Sequence, residues 1–179
     1  MKKLPNILTV LRIALVPFFI ASYYLKVEWW NYLAAGIFIV ASVTDFLDGS
    51  IARKYNCVSK FGKLMDPIAD KVLFCSALFI MLDWGQVDPI SCIVLVAREF
   101  IISGFRILAA SEGVVIAAGW SGKIKTVVQL VGISLILLKN PIFNLIPLNM
   151  GLILIYISVV LSIWSCVEYI VKNRQVLKG

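Results

Sequence analysis

The amino-acid sequence predicts an all-α protein that crosses a lipid bilayer repeatedly. Its 179 residues are 61% hydrophobic with a mean hydropathy of +0.95, which leaves too little polar surface to cover a soluble domain. Mostly apolar runs long enough to cross a bilayer as helices recur along the whole length. The basic residues gather at the borders of those runs. Six spans are predicted, at about 5–25, 30–52, 66–83, 88–110, 120–139 and 148–171, within one domain covering 1–179.

Lysine and arginine placement sets the orientation. With the N-terminus in the cytoplasm, that side holds Lys2, Lys3, Arg53, Lys54, Lys60, Lys63, Lys123, Lys125, Lys172, Arg174 and Lys178. The other side keeps Lys26 and Lys139, beside Glu28, Asp83 and Asp88. The positive-inside rule therefore predicts both termini cytoplasmic, with Trp29, Trp30 and Trp84 in the outer aromatic belt. The first run lacks a small-residue cleavage site and is read as a retained span rather than a signal peptide.

Span one opens Pro5-Asn6-x-x-Thr9-x-x-Arg12, which sets Asn6, Thr9 and, roughly, Arg12 on one helical face. Arg12 either faces a cavity or snorkels to the nearby surface. Spans two and three carry the stretch that needs explaining in so apolar a chain: four aspartates within twenty-six residues. If helical, Asp45, Asp48, Gly49 and Ala52 share a face, and Gly62, Asp66 and Asp70 form a second stripe. Two acids beside residues with almost no side chain leave room for a large group to approach the backbone. Four bare carboxylates cannot all ionise at close range, a conflict that bound divalent cations remove, and all-oxygen donors suit Mg²⁺ or Mn²⁺. Simpler readings exist for the parts. Asp66 before Pro67 resembles a helix cap, Asp48-Gly49 a turn, and Arg53 a partner for one acid. The topology puts these acids at the cytoplasmic edge of the membrane.

Span four contains Arg98, Glu99 and Arg106, costly in an apolar helix unless paired or functional. Glu99 can bridge to either arginine, and the surplus is positive. Ahead of span five comes Ser121-Gly122-Lys123-Ile124-Lys125-Thr126; lysines two apart point to different sides of a helix, so one is expected to reach a pocket and the other to snorkel. In span six Ser158, Ser162 and Cys166 recur every four residues, a strip suited to close helix packing within the chain or in a homodimer.

Several classes are excluded. The chain has no histidine, so His-based catalysis and His metal ligands are out. The four cysteines form no C-x-x-C pair and read as small buried hydrophobes. The net charge of +7 borders apolar spans, which fits anionic lipid and phosphorylated substrates rather than nucleic acid. A cation transporter is disfavoured because the acids cluster at one edge around one loop and no internal repeat is visible.

The full spacing D-x2-D-G-x2-A-R-x8-G-x3-D-x3-D, from Asp45 to Asp70, resembles the signature of the CDP-alcohol phosphotransferases, membrane enzymes that build phospholipid head groups; all eight positions match. The resemblance implies a CDP-diacylglycerol donor whose pyrophosphate sits on two divalent ions. It implies Asp45, Asp48 and Asp66 as the main metal ligands. Asp70 becomes the base, which can also touch a metal. Gly49, Ala52 and Gly62 make room for cytidine and phosphates, Arg53 contacts the pyrophosphate, and Asn6, Thr9 and Arg12 line the nucleotide pocket. Ala97-Arg98-Glu99-Phe100 with Arg106, and Gly122-Lys123-x-Lys125-Thr126, resemble a bacterial branch, the phosphatidylglycerophosphate synthases. That branch implies transfer of the phosphatidyl group to glycerol 3-phosphate, in the bacterial inner membrane. The surplus of Arg98, Arg106, Lys123 and Lys125 suits a phosphate monoester. Inositol phosphate satisfies the same charge argument, and serine and phosphatidylglycerol are the other acceptors to weigh.

Overall fold

The structure is a computed structural model that describes residues 4–24, 29–55, 60–114, 116, 119–140 and 149–177. Side chains at 4–10, 12, 45–55, 60–67, 70 and 177 lie outside that description. Six long helices and no strand occur among the described residues: α1 (Leu4–Tyr24), α2 (Trp30–Tyr55), α3 (Lys60–Asp83), α4 (Pro89–Ser111), α5 (Trp120–Leu137) and α6 (Met150–Lys172). A short 3₁₀ turn, Arg174–Leu177, follows.

Each helix coincides with an apolar run, but α2 and α3 extend past theirs. Hydropathy ends the second span near 52 and starts the third near 66, whereas the helices run to Tyr55 and from Lys60. Helical backbone therefore continues through Asp48-Gly49 and through Asp66-Pro67. The turn and cap readings of those pairs give way, and both acidic stripes lie on helix. Polar side chains inside the apolar helices bond to their own backbone: Ser42 Oγ donates to the Phe38 carbonyl at 2.8 Å and Ser76 Oγ to that of Val72 at 2.7 Å. α4 starts on a true cap, with Asp88 accepting from Ser91 N at 2.9 Å and Ser91 Oγ at 2.6 Å, and proline following.

One core draws on all six helices. Val16, Phe19, Phe38, Leu78, Met81, Leu95, Ile133, Ile136 and Ile155 are all shut off from solvent within it. Large apolar residues also cover the outside, among them Phe18, Ile93, Ile107, Val160 and Trp164, where a soluble protein would place charge. α5 and α6 are each long and apolar enough to cross a membrane, and Ile13–Tyr24 and Trp30–Thr44 form shorter apolar stretches. α4 has the length but holds Arg98, Glu99 and Arg106.

Two sets of contacts orient the helices. Tyr23, Trp30 and Trp84 meet at ring-centroid distances of 6.0, 5.8 and 4.4 Å, and the Tyr23 hydroxyl donates to Asp83. The end of α1, the start of α2 and the end of α3 are thus together, so the end of α2 and the start of α3 share the opposite pole. Lys125 of α5 lies over the Phe74 ring in the middle part of α3, 5.5 Å from its centroid. Phe74 is one helical turn beyond Asp70.

α5 and α6 make the tightest approach, and two glycines permit it. A Cβ on Gly151 would fall 2.6 Å from Ile136 Cγ1 and 3.0 Å from both the Gly132 carbonyl oxygen and Ile136 N; one on Gly132 would lie 3.1 Å from Leu154 Cβ. Asn140 fastens the junction, donating to Asn149 Oδ1 at 2.8 Å and accepting from Gly151 N at 2.9 Å. On α6, Ser158 and Ser162 are fully buried within this single chain, and Cys166 packs beside Ile102, Phe105 and Tyr169. The small-residue strip is therefore used internally.

Gly151→Ala should cost about 1–3 kcal/mol through overpacking, read as a lower midpoint of thermal unfolding in detergent. Gly104→Ala, where an added Cβ meets nothing within 4 Å, should leave the midpoint unchanged or slightly higher.

Candidate active site

Two groups of residues singled out in the sequence make up the candidate site. The first is the acidic motif. Asp45 and Asp48 belong to α2 and Asp66 and Asp70 to α3, and these helices pack against each other. The side chains of these aspartates, and of Asn6, Thr9, Arg12, Gly49, Ala52, Arg53 and Gly62, lie outside the described residues. What the backbone supplies is register: Asp45, Asp48, Gly49 and Ala52 on one helical face, and Gly62, Asp66 and Asp70 on another. Among the described residues no group of three or more acids or cysteines is placed to hold a metal ion.

The second group is described in full and lies between α4, α5 and α6. Lys125 is only 2% exposed, and its ammonium donates to Glu99 Oε1. Arg98 Nη1 donates to the same Oε1 at 3.0 Å, while its Nη2 donates to Ser165 Oγ on α6 at 3.1 Å. One carboxylate oxygen thus ties a cation of α4 to a cation of α5. Buried charges need this kind of pairing, because leaving either cation bare between helices would cost several kcal/mol. Gly122 opens the space for Arg98, since a Cβ there would sit 3.2 Å from Nη2. Two buried polar atoms, Arg98 Nε and Ser162 Oγ, have no hydrogen-bond partner among the described residues.

The remaining cations divide. Arg106, two turns along α4, donates from Nε to the Tyr169 hydroxyl at 3.3 Å and lies 5.8 Å from that ring's centroid. Lys123 is exposed and stacks on Trp120 at 5.0 Å. Of the four cations singled out in the sequence, then, the structure brings Arg98 and Lys125 together, sets Arg106 further along, and turns Lys123 outward. Ser121 Oγ donates to Glu168 Oε2 at 2.6 Å, and Lys172 donates to Oε1 of the same residue, closing the α5–α6 interface at this pole.

Comparison with known proteins identifies the family. The family model for CDP-alcohol phosphatidyltransferase matches residues 2–164. The chain belongs to the CDP-alcohol phosphatidyltransferase family. A relative from Bacillus subtilis (strain 168), named CDP-diacylglycerol–glycerol-3-phosphate 3-phosphatidyltransferase, is 38% identical over 99% of this chain and 98% of its own. A Rickettsia bellii relative of the same name is 40% identical over 94% and 93%. The crystal structure of Mycobacterium tuberculosis phosphatidylinositol phosphate synthase in apo form superposes with a TM-score of 0.63, covering 92% of this chain and 85% of that one at 19% identity. That likeness establishes a shared fold.

Three parts of this family member's cationic cluster left no mark in the sequence. Ser165 and Tyr169, which hold Arg98 and Arg106, look like ordinary residues of an apolar helix. Phe74 looks like core. Their only earlier signal is position: 165 and 169 lie one turn apart on α6.

Lys125→Met should destabilise the protein by about 1–3 kcal/mol, because it strips a charged hydrogen-bond donor from Glu99. Lys123→Met, losing only a stacked and exposed ammonium, should unfold at the wild-type temperature in the same detergent melt.

Proposed function

We propose that this chain transfers the phosphatidyl group of CDP-diacylglycerol to glycerol 3-phosphate, releasing CMP and forming phosphatidylglycerol phosphate. The observation that carries the reading is that α2 and α3 stay helical through all eight motif positions, so that the acids fall in two stripes on adjacent helices. The near full-length similarity to relatives named for this reaction supports the choice of acceptor.

The working arrangement is a single domain, 1–179, with six spans, both termini cytoplasmic and the site at the cytoplasmic edge of a bacterial inner membrane. The lysine-bearing start of α5 and end of α6 lie together, joined through Ser121 and Glu168, which supports a basic edge on that side. The donor set suits two divalent ions, Mg²⁺ or Mn²⁺: four carboxylates on packed helices, in a chain without histidine. Asp45, Asp48 and Asp66 would hold them, and Asp70, one turn beyond Asp66 on the same stripe, would be able to share. When bound, such ions neutralise a pyrophosphate and polarise its phosphorus.

The chain's own residues do the rest. Asn6, Thr9, Arg12, Gly49, Ala52, Arg53 and Gly62 bind and orient the cytidine and pyrophosphate. Arg98, Arg106, Lys123 and Lys125 attract the phosphate of the acceptor, and Arg98 and Lys125 hold it. Asp70 takes the proton from the acceptor's primary hydroxyl as its oxygen bonds to the phosphatidyl phosphorus. The bond from that phosphorus to the bridging oxygen breaks, and CMP leaves with the electron pair.

Purified protein given CDP-diacylglycerol with glycerol 3-phosphate, serine, inositol phosphate or phosphatidylglycerol in parallel should release CMP fastest with glycerol 3-phosphate. Preference for another acceptor overturns the assignment while leaving the family intact. Excess chelator should abolish turnover and added Mg²⁺ or Mn²⁺ restore it. Asp45→Asn and Asp66→Asn should fold in detergent but stay nearly inactive. In Asp70→Asn turnover should fall while metal-dependent binding of CDP-diacylglycerol persists.

A further inference from the structure

Both described contacts to Glu99 fall on one oxygen. Arg98 Nη1 and Lys125 Nζ each donate to Oε1, and among the described residues nothing donates to Oε2. Oε2 is also not sealed in: Glu99 is 21% exposed, and the oxygen is absent from the buried unsatisfied atoms. A carboxylate is thus clamped in place through one oxygen by two cations from different helices, and its other oxygen has no donor among the described residues. An ionised carboxylate only accepts hydrogen bonds. It can take nothing from a phosphate dianion, so its use beside a phosphate site is to receive a donor from the same ligand.

The acceptor alcohol offers such a donor. Glycerol 3-phosphate carries a primary hydroxyl, consumed in the transfer, and a secondary one on the carbon next to the phosphate ester. With the phosphate on Arg98 and Lys125, that secondary hydroxyl is the group carried nearest the carboxylate those cations hold. We infer that Glu99 Oε2 accepts the hydrogen bond of the acceptor's secondary hydroxyl and is the specificity-determining residue for a polyol phosphate. This rests on the acceptor reading above. Arg98 and Lys125 then serve twice, binding the phosphate and fixing the carboxylate that reads the neighbouring carbon. Ser165, through Arg98 Nη2, and Gly122, through the space it leaves, position the arginine that does both.

The test is a cycle between one residue and one substrate hydroxyl. Wild-type protein is assayed with glycerol 3-phosphate and with 3-hydroxypropyl phosphate, which keeps the attacking primary hydroxyl and the phosphate but lacks the secondary hydroxyl. The wild type should lose roughly ten- to a hundredfold in kcat/KM on the deoxy acceptor, the value of a hydrogen bond to a charged group. Glu99→Ala should use the two acceptors about equally, and Glu99→Gln, which keeps shape and a neutral acceptor oxygen, should fall between. KM for CDP-diacylglycerol should not move with the acceptor. General damage from loosening Arg98 and Lys125 lowers both rates together and cancels in the ratio, so a merely structural role leaves the discrimination intact. Equal use of both acceptors by the wild type overturns the inference whether or not either variant folds. So does undiminished discrimination in Glu99→Gln or Glu99→Ala. A wild type that turns over neither phosphate yet uses another alcohol instead defeats the acceptor reading itself, a separate result.

Discussion

Charge buried between apolar helices has to find its counter-charge inside the protein, and Glu99 is where this chain meets that demand. Water and lipid offer Lys125 nothing at 2% exposure. Its ammonium and the Arg98 guanidinium converge on one carboxylate oxygen. Because the two cations belong to α5 and α4, and Arg98 also reaches Ser165 on α6, satisfying the charge fixes three helices against one another. Close packing already resists small shifts, because a sub-ångström gap forfeits much of the dispersion energy. The directional bonds add a second constraint, since their geometry is satisfied over a narrow range of distance and angle.

Close backbone approach complements this pinning at the other end of α5 and α6. Gly132 and Gly151 let the helices touch, and in an apolar surround such contact supplies much of the association that the hydrophobic effect supplies in water. Asn140 and Asn149 then satisfy the backbone where α5 ends and α6 begins. At the same pole the Tyr23, Trp30 and Trp84 rings gather α1, α2 and α3. With both poles held, α2 and α3 carry helical backbone beyond their apolar stretches and deliver the aspartates as two stripes rather than as a loose polar loop.

The site that results separates two kinds of electrostatic work. Four carboxylates suit the highly charged pyrophosphate through cations, whereas the arginine–glutamate–lysine group offers a net positive surface to a smaller anion. Lys125 joins them physically, lying over Phe74 one turn beyond Asp70. In the proposed reading an acceptor phosphate held there would bring a hydroxyl toward the acidic stripes, and holding two reactants in proximity is a large part of what an enzyme contributes to phosphoryl transfer.

The sequence by itself determined the helices and the chemistry. Apolar runs of bilayer length specify six helices, and the spacing of Asp45, Asp48, Asp66 and Asp70 specifies which residues share a face. Both kinds of information sit within a window of a few turns. Hydropathy marks only the apolar parts of α2 and α3, because a helix, once begun, continues through polar residues whose backbone bonds are already favourable. Other matters depended on tertiary structure. Lys123 and Lys125 stand two residues apart on one helix, and nothing local distinguishes them. Lys125 is the buried one because α5 turns that face toward Glu99, 26 positions away. Arg98 finds Ser165 across 67 positions, and Gly151 matters only because Ile136 and Gly132 lie against it. Such partners are chosen by the register between helices, a property of the assembled bundle that no local pattern of residues records.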